Sequence, residues 1–407
     1  MASFGRARGV RYYAPRRIAD LGWRVSVYEV LADGTVAPYA ELAGAEPQGY
    51  VLEGQREGLP SAYYADLPWL VNDLRPAGFL GRLAARQHPA PGLPVSLGEW
   101  RGDHILEHLA RHGANLVGGL IVGEAALDLA VRARAAPRDR VSAGEREVLY
   151  PRLAADVLSY GDPGSSAAGE QPKFLVSRAE DGQGLLVKFS PPLADSDVAR
   201  RVADLLLAEH LALATLAEGG VPASRSRYLE LGGRAFLEVE RFDRLAPFGR
   251  RHLVTLGTLD AEYGEDGLGG WTHVTRGLAR QRVVPAALVD PVALLDRFGA
   301  LIGNTDRHAG NLSFFVDGAA VVDLCPAYDM TPMRYAPRHH ELAPEAPWVV
   351  PVHPVVAPPI EARARALARA FWGAVLAEAR SSAWLCAVAQ QHLAAEASAD
   401  GRAASSV

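Results

Sequence analysis

Hydrophobic and polar positions alternate in short bursts over the first 150 residues and settle into helical periods later in the chain. RVSVYEVL (24–31) alternates with a period of two and is followed by Asp-Gly-Thr at 33–35, which predicts a strand and a tight turn. GEWRGDHILEHLARHG (98–113) places Ile105, Leu106 and Leu109 on one side and stops at Gly113, which predicts a helix. VSAGEREVLYPRLAADVLSYG (141–161) predicts a second helix, interrupted at Pro151. Trp23, Trp69 and Trp100 give residues 1–150 the bulk for a core of their own. That part shows no internal repeat and no catalytic constellation, and reads as a scaffold or regulatory domain.

The pattern changes in residues 161–243. GDPGSSAAGEQPKFLVSR is a Gly/Ser loop running into an extended segment, AEDGQG (179–184) is turn chemistry, and LLVKFS (185–190) is a second strand. DSDVARRVADLLLAEHLALATLAEGG, from Asp195, predicts a long amphipathic helix with Asp195 or Ser196 as its cap and Gly219–Gly220 as its stop. SRYLEL-GG-RAFLEVERFD is a second hairpin with a two-glycine turn. The order loop, hairpin, helix, hairpin describes a small sheet carrying one helix. Residues 249–407 are mainly helical by pattern, with a proline-rich irregular segment at 332–359.

Composition narrows the class. The chain has 407 residues, 49% hydrophobic and 22% charged, with a formal net charge of −5. Those values fit a globular chain and argue against a surface wrapped in basic charge for nucleic acid. Cys325 and Cys386 are the only cysteines, which excludes a disulfide framework and a Cys-rich zinc site. No apolar run reaches the length of a membrane span, and the arginine-rich start lacks the apolar segment of a secretory signal, so the expected compartment is the cytoplasm. Arginine supplies every cationic side chain except Lys173 and Lys188. Both lie on the arms of the first predicted hairpin, beside the glycine loop. A compact ammonium suits a phosphate site in a way a planar guanidinium does not, although two chance codons would look the same.

Three segments could carry chemistry. Gly164, Ser165, Ser166, Ala167, Ala168 and Gly169 form a loop able to wrap phosphate with backbone N–H groups, or simply a loop. It is not a Walker A motif, because Glu170-Gln171 and a strand follow where Lys-Ser/Thr and a helix are required. A glycine loop followed by a strand lysine is the layout of a kinase-type phosphate cover. Next, Asp306 and Asn311 stand five residues apart in NTDRHAGN, the spacing of a kinase catalytic loop, and equally of an Asx-rich turn. His308 reads as a brace of that loop. Third, VVDLCPAYDMTP (321–332) sets Asp323 and Asp329 after an apolar strand, where a carboxylate could supply a hard oxygen to Mg2+. Met-Thr-Pro after Asp329 does not match DFG. The segments occur in the order a phosphoryl-transfer site needs.

GSSAAGEQPKFLV, LLVKFS, EVERFDR, NTDRHAGNLSFF and CPAYDM resemble the HipA family of bacterial serine/threonine kinases, the toxin components of type II toxin–antitoxin systems. GFLGR (78–82), LPW (67–69) and NLVGGLIVG (115–123) are similar to the YjjJ (HipH) branch, and the resemblance runs from about Arg6 to about Gln390. It implies an α+β, two-lobed, protein-kinase-like fold. An N-terminal accessory α/β domain (1–150) would be followed by a kinase N-lobe (151–248) and a mainly helical C-lobe (249–407). It implies ATP and Mg2+ as cofactors, with Asp306 as catalytic base and Asn311 and Asp329 as metal ligands. Lys188, with Lys173 and His308 beside it, would line the ATP site together with the glycine loop. Glu240 and Phe242 would stand at the hinge beside adenine and Asp243 near the ribose. Ser166, or Ser165, matches the loop serine that is autophosphorylated in the family, which silences the kinase. Glu209, on the helix after the Lys188 strand, stands where kinases keep the lysine's partner; a solvent-facing glutamate fits as well.

The expected function is therefore ATP-dependent phosphorylation of a protein serine or threonine, with a translation factor as the substrate class and an antitoxin as a partner. The branch's N-terminal helix-turn-helix has no counterpart at this chain's start, so direct nucleic-acid binding is not expected; with no apolar run of membrane-spanning length, neither is a membrane partner. Two other readings remain: a non-catalytic ATP-binding regulator, and a metal-dependent nuclease toxin using Asp306, Asp323 and Asp329.

Overall fold

In a computed structural model the chain is described at residues 1–5, 10–89, 92–135, 139–160, 171–264, 269–338, 341–342, 348–351 and 356–404. Three sheets organise it. The first joins β1 (Arg24–Val30), β2 (Val36–Ala45), β3 (Tyr50–Gly54), β4 (Ala62–Tyr64) and β5 (Leu120–Val122) in the order β4-β3-β2-β1-β5, with Pro15–Arg16 added beside β2. The predicted turn at 33–35 joins β1 to β2, with Asp33 Oδ1 accepting the Thr35 N–H. Helix α1 (Gly102–His112) buries Ile105, Leu106 and Leu109 against this sheet's core, where Trp69 and Trp100 also sit. Trp23 takes no part in that core; it is 55% exposed. Helix α2 (Glu124–Ala135) packs beside α1.

The second sheet contains β6 (Arg140–Val141), β7 (Lys173–Arg178), β8 (Gly184–Phe189), β9 (Ser226–Leu231) and β10 (Arg234–Glu240), ordered β9-β10-β8-β7-β6. Alternation divides its residues between two faces. Phe174, Val176, Leu185, Val187, Phe189 and Phe236 form one apolar face, covered by Tyr150, Ala154 and Val157 of α3 (Arg146–Ser159). That helix passes through Pro151 without interruption and spans the expected domain boundary at 150/151. Pro151 packs closely under the second hairpin's turn: a Cβ added at Gly232 would lie 2.7 Å from Pro151 Cγ. The opposite face carries Lys173, Lys188 and Leu237. Helix α4 (Asp197–Glu218), capped by Ser196 at Ala199 N, packs against β9 and β10. Gly232 and Gly233, both at positive φ, make the tight turn that aligns Leu231 with Arg234.

The third sheet, β11 (Leu253–Thr255), β12 (Ser313–Asp317) and β13 (Ala320–Leu324), lies in the C-terminal half with α5 (Leu256–Tyr263), α6 (Trp271–Arg280), α7 (Val289–Leu301), α8 (Pro358–Ala377) and α9 (Ala383–Ala404). Helix α7 is buried on nearly every side because it is the core of that half. Its buried Arg297 is offset by Glu361 of α8, with Nη2 2.7 Å from Oε1. Among the described residues, no helix is long and apolar enough to cross a membrane.

Candidate active site

The site forms where the Lys188 face of the second sheet meets the loops flanking β12 and β13. Lys188 is buried, and its Nζ donates to Glu209 Oε1 (2.7 Å) and Oε2 (2.8 Å) and to Asp329 Oδ1. Thr331 Oγ1 donates to Glu209 Oε2 at 3.0 Å, which fixes the glutamate from its other side. Burial alone would drive the ammonium toward neutrality, but Asp329 and Glu209 outweigh it and raise the Lys188 pKa. Burial likewise works against the Asp329 carboxylate, yet Lys188, with Lys173 and His308, holds its pKa below the ordinary range. Lys188 and Glu209 are buried, while the Asp329 side chain is 35% exposed, so the array has its charged rim at the cleft.

Asp329 adopts φ +53°, a left-handed conformation rare for a residue with a side chain. Asn304 braces it: Nδ2 donates to the Asp329 carbonyl at 3.2 Å, while Oδ1 accepts the Asp306 N–H at 2.9 Å. Asn311 Nδ2 in turn donates to the Asp306 carbonyl at 2.9 Å. Asp306, Asn311 and Asp329 are therefore joined through one buried amide and one backbone carbonyl, while the Asp306 side chain faces solvent. His308 is also exposed; its Nδ1 accepts the Gly310 N–H at 3.1 Å and its carbonyl accepts from Trp271 Nε1 at 2.9 Å. Tyr328 adds a further tie, its hydroxyl lying 2.7 Å from Ser313 Oγ and donating to Gly310 O at 3.0 Å.

The hinge residues are placed differently from one another. The Phe242 ring contacts Phe315 and Tyr328, with centroids 5.9 and 5.6 Å away, and so borders the segment carrying Asp329. Glu240 pairs with Leu185 in the β8–β10 register, so its side chain leaves the face opposite Lys188 and meets Arg178 Nη1 at 2.6 Å. There it helps line a cavity of about 560 Å3 at the sheet's outer edge, with His210, Arg225 and Arg227; Lys188, Asp306, Asn311 and Asp329 do not line it. Only the Glu240 backbone remains at the hinge. Asp243 does not reach toward a ribose. It is 4% exposed, its carboxylate accepts from Gly118 N, Arg241 and Arg244, and burial opposed by those two arginines leaves its pKa lowered.

Asp323 stands exposed on β13 and accepts its neighbour's N–H, from Leu324, at 2.8 Å. Among the described residues no group of three His, Cys, Asp or Glu side chains is arranged to hold a metal ion, so Asp306, Asp323 and Asp329 do not form the shared site a nuclease reading needs. Gly164, Ser165, Ser166, Ala167, Ala168 and Gly169 lie outside the described residues. Sequence reasoning missed Asn304, Thr331 and Tyr328. Asn304 opens the very motif that drew attention to Asp306, so its spacing was a usable signal. Tyr328 gave none beyond adjacency to Asp329.

Two family models match the chain. Residues 21–131 match the YjjJ-like toxin, middle domain, and residues 165–369 the HipA-like C-terminal domain. Toxin YjjJ of Escherichia coli (strain K12) is 34% identical over 392 residues, covering 95% of this chain and 87% of that protein. The chain belongs to the YjjJ family of HipA-like toxins. Its fold follows the HipA chain of a Shewanella oneidensis MR-1 complex of HipA, HipB and operator DNA, at a TM-score of 0.60 and 16% identity, over 91% of this chain and 96% of that one. A Helicobacter pylori proinflammatory kinase, CtkA, aligns over 39% of this chain and 53% of its own at a TM-score of 0.31 and 16% identity. This YjjJ-family chain thus has the two-lobed, HipA-like α+β fold. The expectation of no direct nucleic-acid binding finds no support, since the HipA relative was determined in a complex with HipB and operator DNA.

Proposed function

We propose that this chain is an ATP-dependent serine/threonine protein kinase of the HipA toxin type. The observation that carries the reading is the Lys188–Glu209–Asp329 ion-pair array, joined through Asn304 to Asp306. Lys188 is a point charge on a strand, pinned by a helix glutamate, as a phosphate-holding lysine requires. Asp329 and Asn311 offer the two hard oxygen donors that Mg2+ takes from protein when phosphate and water complete its shell. Mg2+, when bound there, would neutralise charge on the phosphates. Asp306, exposed at the mouth, orients a substrate hydroxyl and accepts its proton. Phe242 and the backbone near Glu240 bound the space for a purine. Most of the rate enhancement then comes from positioning and fixed electrostatics.

The substrate is a protein hydroxyl, and the glycine-loop Ser166 or Ser165 is a second acceptor in the same chain. A phosphate there, carrying about −1.5 to −2 charges, would compete with ATP for Lys188 and silence the enzyme. The partner expected is a HipB-like antitoxin, and operator DNA enters through such a complex. Incubation of a cell lysate with γ-labelled ATP tests the proposal. Wild type should label a discrete protein, while Asp306→Asn should label none and still bind ATP. Full activity of the variant would remove Asp306 from the scheme.

A further inference from the structure

The hinge between the second sheet and the helical half is gripped from outside by the N-terminal domain. Arg241 donates to Asn115 Oδ1 (2.9 Å) and Leu116 O (2.8 Å). Arg244 donates to Gly118 O (2.8 Å), to Asn115 Oδ1 (3.2 Å) and to Leu116 O. Arg250 donates to Ala114 O at 2.7 Å. Asp243 is the centre of this clasp. Its carboxylate takes the Gly118 N–H at 2.7 Å, Arg241 Nη2 at 2.8 Å and Arg244 Nη1 at 2.8 Å. Gly118 must be glycine: φ is +75° and an added Cβ would lie 2.9 Å from His252 Nδ1.

Such a network is held as a unit. Buried charges are tolerated only when every partner is in place, and losing one strands the others. Phe242 lies between two clasped residues, and Arg241 also donates its N–H to Gly184 O at the start of the Lys188 strand. The position of Phe242 is thus set by the loop at 114–118, more than a hundred residues away in sequence.

We propose that loop 114–118 of the N-terminal domain is a positioning element for the base-binding end of the cleft, acting through Arg241, Asp243 and Arg244 on Phe242. The inference rests on the kinase reading and deepens it. It assigns the N-terminal domain a direct hold on nucleotide affinity, and it gives Asp243 a role in place of ribose contact.

The test separates the base end from the phosphate end. The full chain is titrated with Mg-ATP and, separately, with Mg-tripolyphosphate, which carries the phosphates without the nucleoside. Asn115→Ala removes the acceptor of two hinge hydrogen bonds, from Arg241 and Arg244, and should weaken ATP about three- to fivefold while leaving tripolyphosphate unchanged. Asp243→Asn should weaken ATP further with the same selectivity. Asn115 is exposed, so its variant decides the matter if Asp243→Asn does not fold. Unchanged ATP affinity in Asn115→Ala, or equal losses for both ligands, overturns the proposal, as does a wild type that binds tripolyphosphate as tightly as ATP. A wild type that binds neither ligand removes the kinase reading itself.

Discussion

Lys173 and Lys188, the two lysines of the chain, are directly opposed Cα partners across the β7–β8 pair. Opposed residues share a face, so both ammonium groups stand on the side of the sheet that meets Asp329. Lys188 contacts Asp329 directly, and Lys173 acts on its charge from farther off. A chain that uses arginine everywhere else keeps its two compact cations side by side at this site.

Removing Lys188 should therefore be felt twice. Lys188→Ala leaves the buried Glu209 beside Asp329 without a cation, which should cost about 3 kcal/mol of stability and abolish measurable ATP binding. Adding Glu209→Gln should restore part of the stability and none of the binding. Denaturant unfolding of the single and double variants checks this; an Lys188→Ala protein as stable as wild type would contradict the ion-pair account.

Asn304 should behave as a positioning residue. Asn304→Ala frees both the Asp306 N–H and the Asp329 carbonyl, so turnover should fall by about tenfold or more while the KM for ATP changes little. Steady-state kinetics with the labelled substrate read the split. A variant with unchanged kcat would show that the αL geometry of Asp329 is held by other means.

The self-silencing reading predicts a specific mass shift. After incubation with Mg-ATP, peptide mass spectrometry should find one phosphate on Ser165 or Ser166, and Ser165→Ala with Ser166→Ala should stay active longer than wild type. An active enzyme carrying no phosphate on either serine would refute it.

Acid should destabilise the fold before its carboxylates titrate. Burial lowers the pKa of His108 to about 4 (His112 and His88 adding to it), that of His252 to about 4 and that of His392 to about 3. The unfolded chain protonates all three near pH 6.5, so it binds more protons than the fold between there and about pH 4. Stability is present above pH 6.5 and lost as pH falls, by about 1.4 kcal/mol per pH unit for each histidine in mid-window. Calorimetry should show Tm falling steadily from pH 7 to pH 5. A flat Tm over that range would mean that these rings are protonated in the fold.

The elements that carry the site were legible where local chemistry decides them. The β7–β8 hairpin announces itself by strand periodicity around a Gly/Asp turn, and α4 by its Ser196 cap and its apolar stripe. Spacing drew attention to Asp306 and Asn311 but fitted an Asx-rich turn equally, and the resemblance supplied their expected roles. What sequence could not give is parity and long-range closure. Whether Glu240 faces the cleft depends on its register against Leu185, and one residue of slip would reverse it. Asp243 was expected near the ribose because the loop that helps bury it, through the Gly118 N–H, lies 125 positions away. Pro151 predicted a break, but the helix continues through it from Arg146 to Ser159.

The central proposal is that Lys188 holds the phosphates of Mg-ATP directly and Asp329 holds them through Mg2+. Calorimetric titration of ATP with and without Mg2+, in wild type and in Asp329→Asn, tests it most directly. Mg2+ should tighten ATP binding by about tenfold or more in wild type and have little effect in Asp329→Asn. A Mg2+ response that persists undiminished in the variant, or its absence from wild type, would contradict the account.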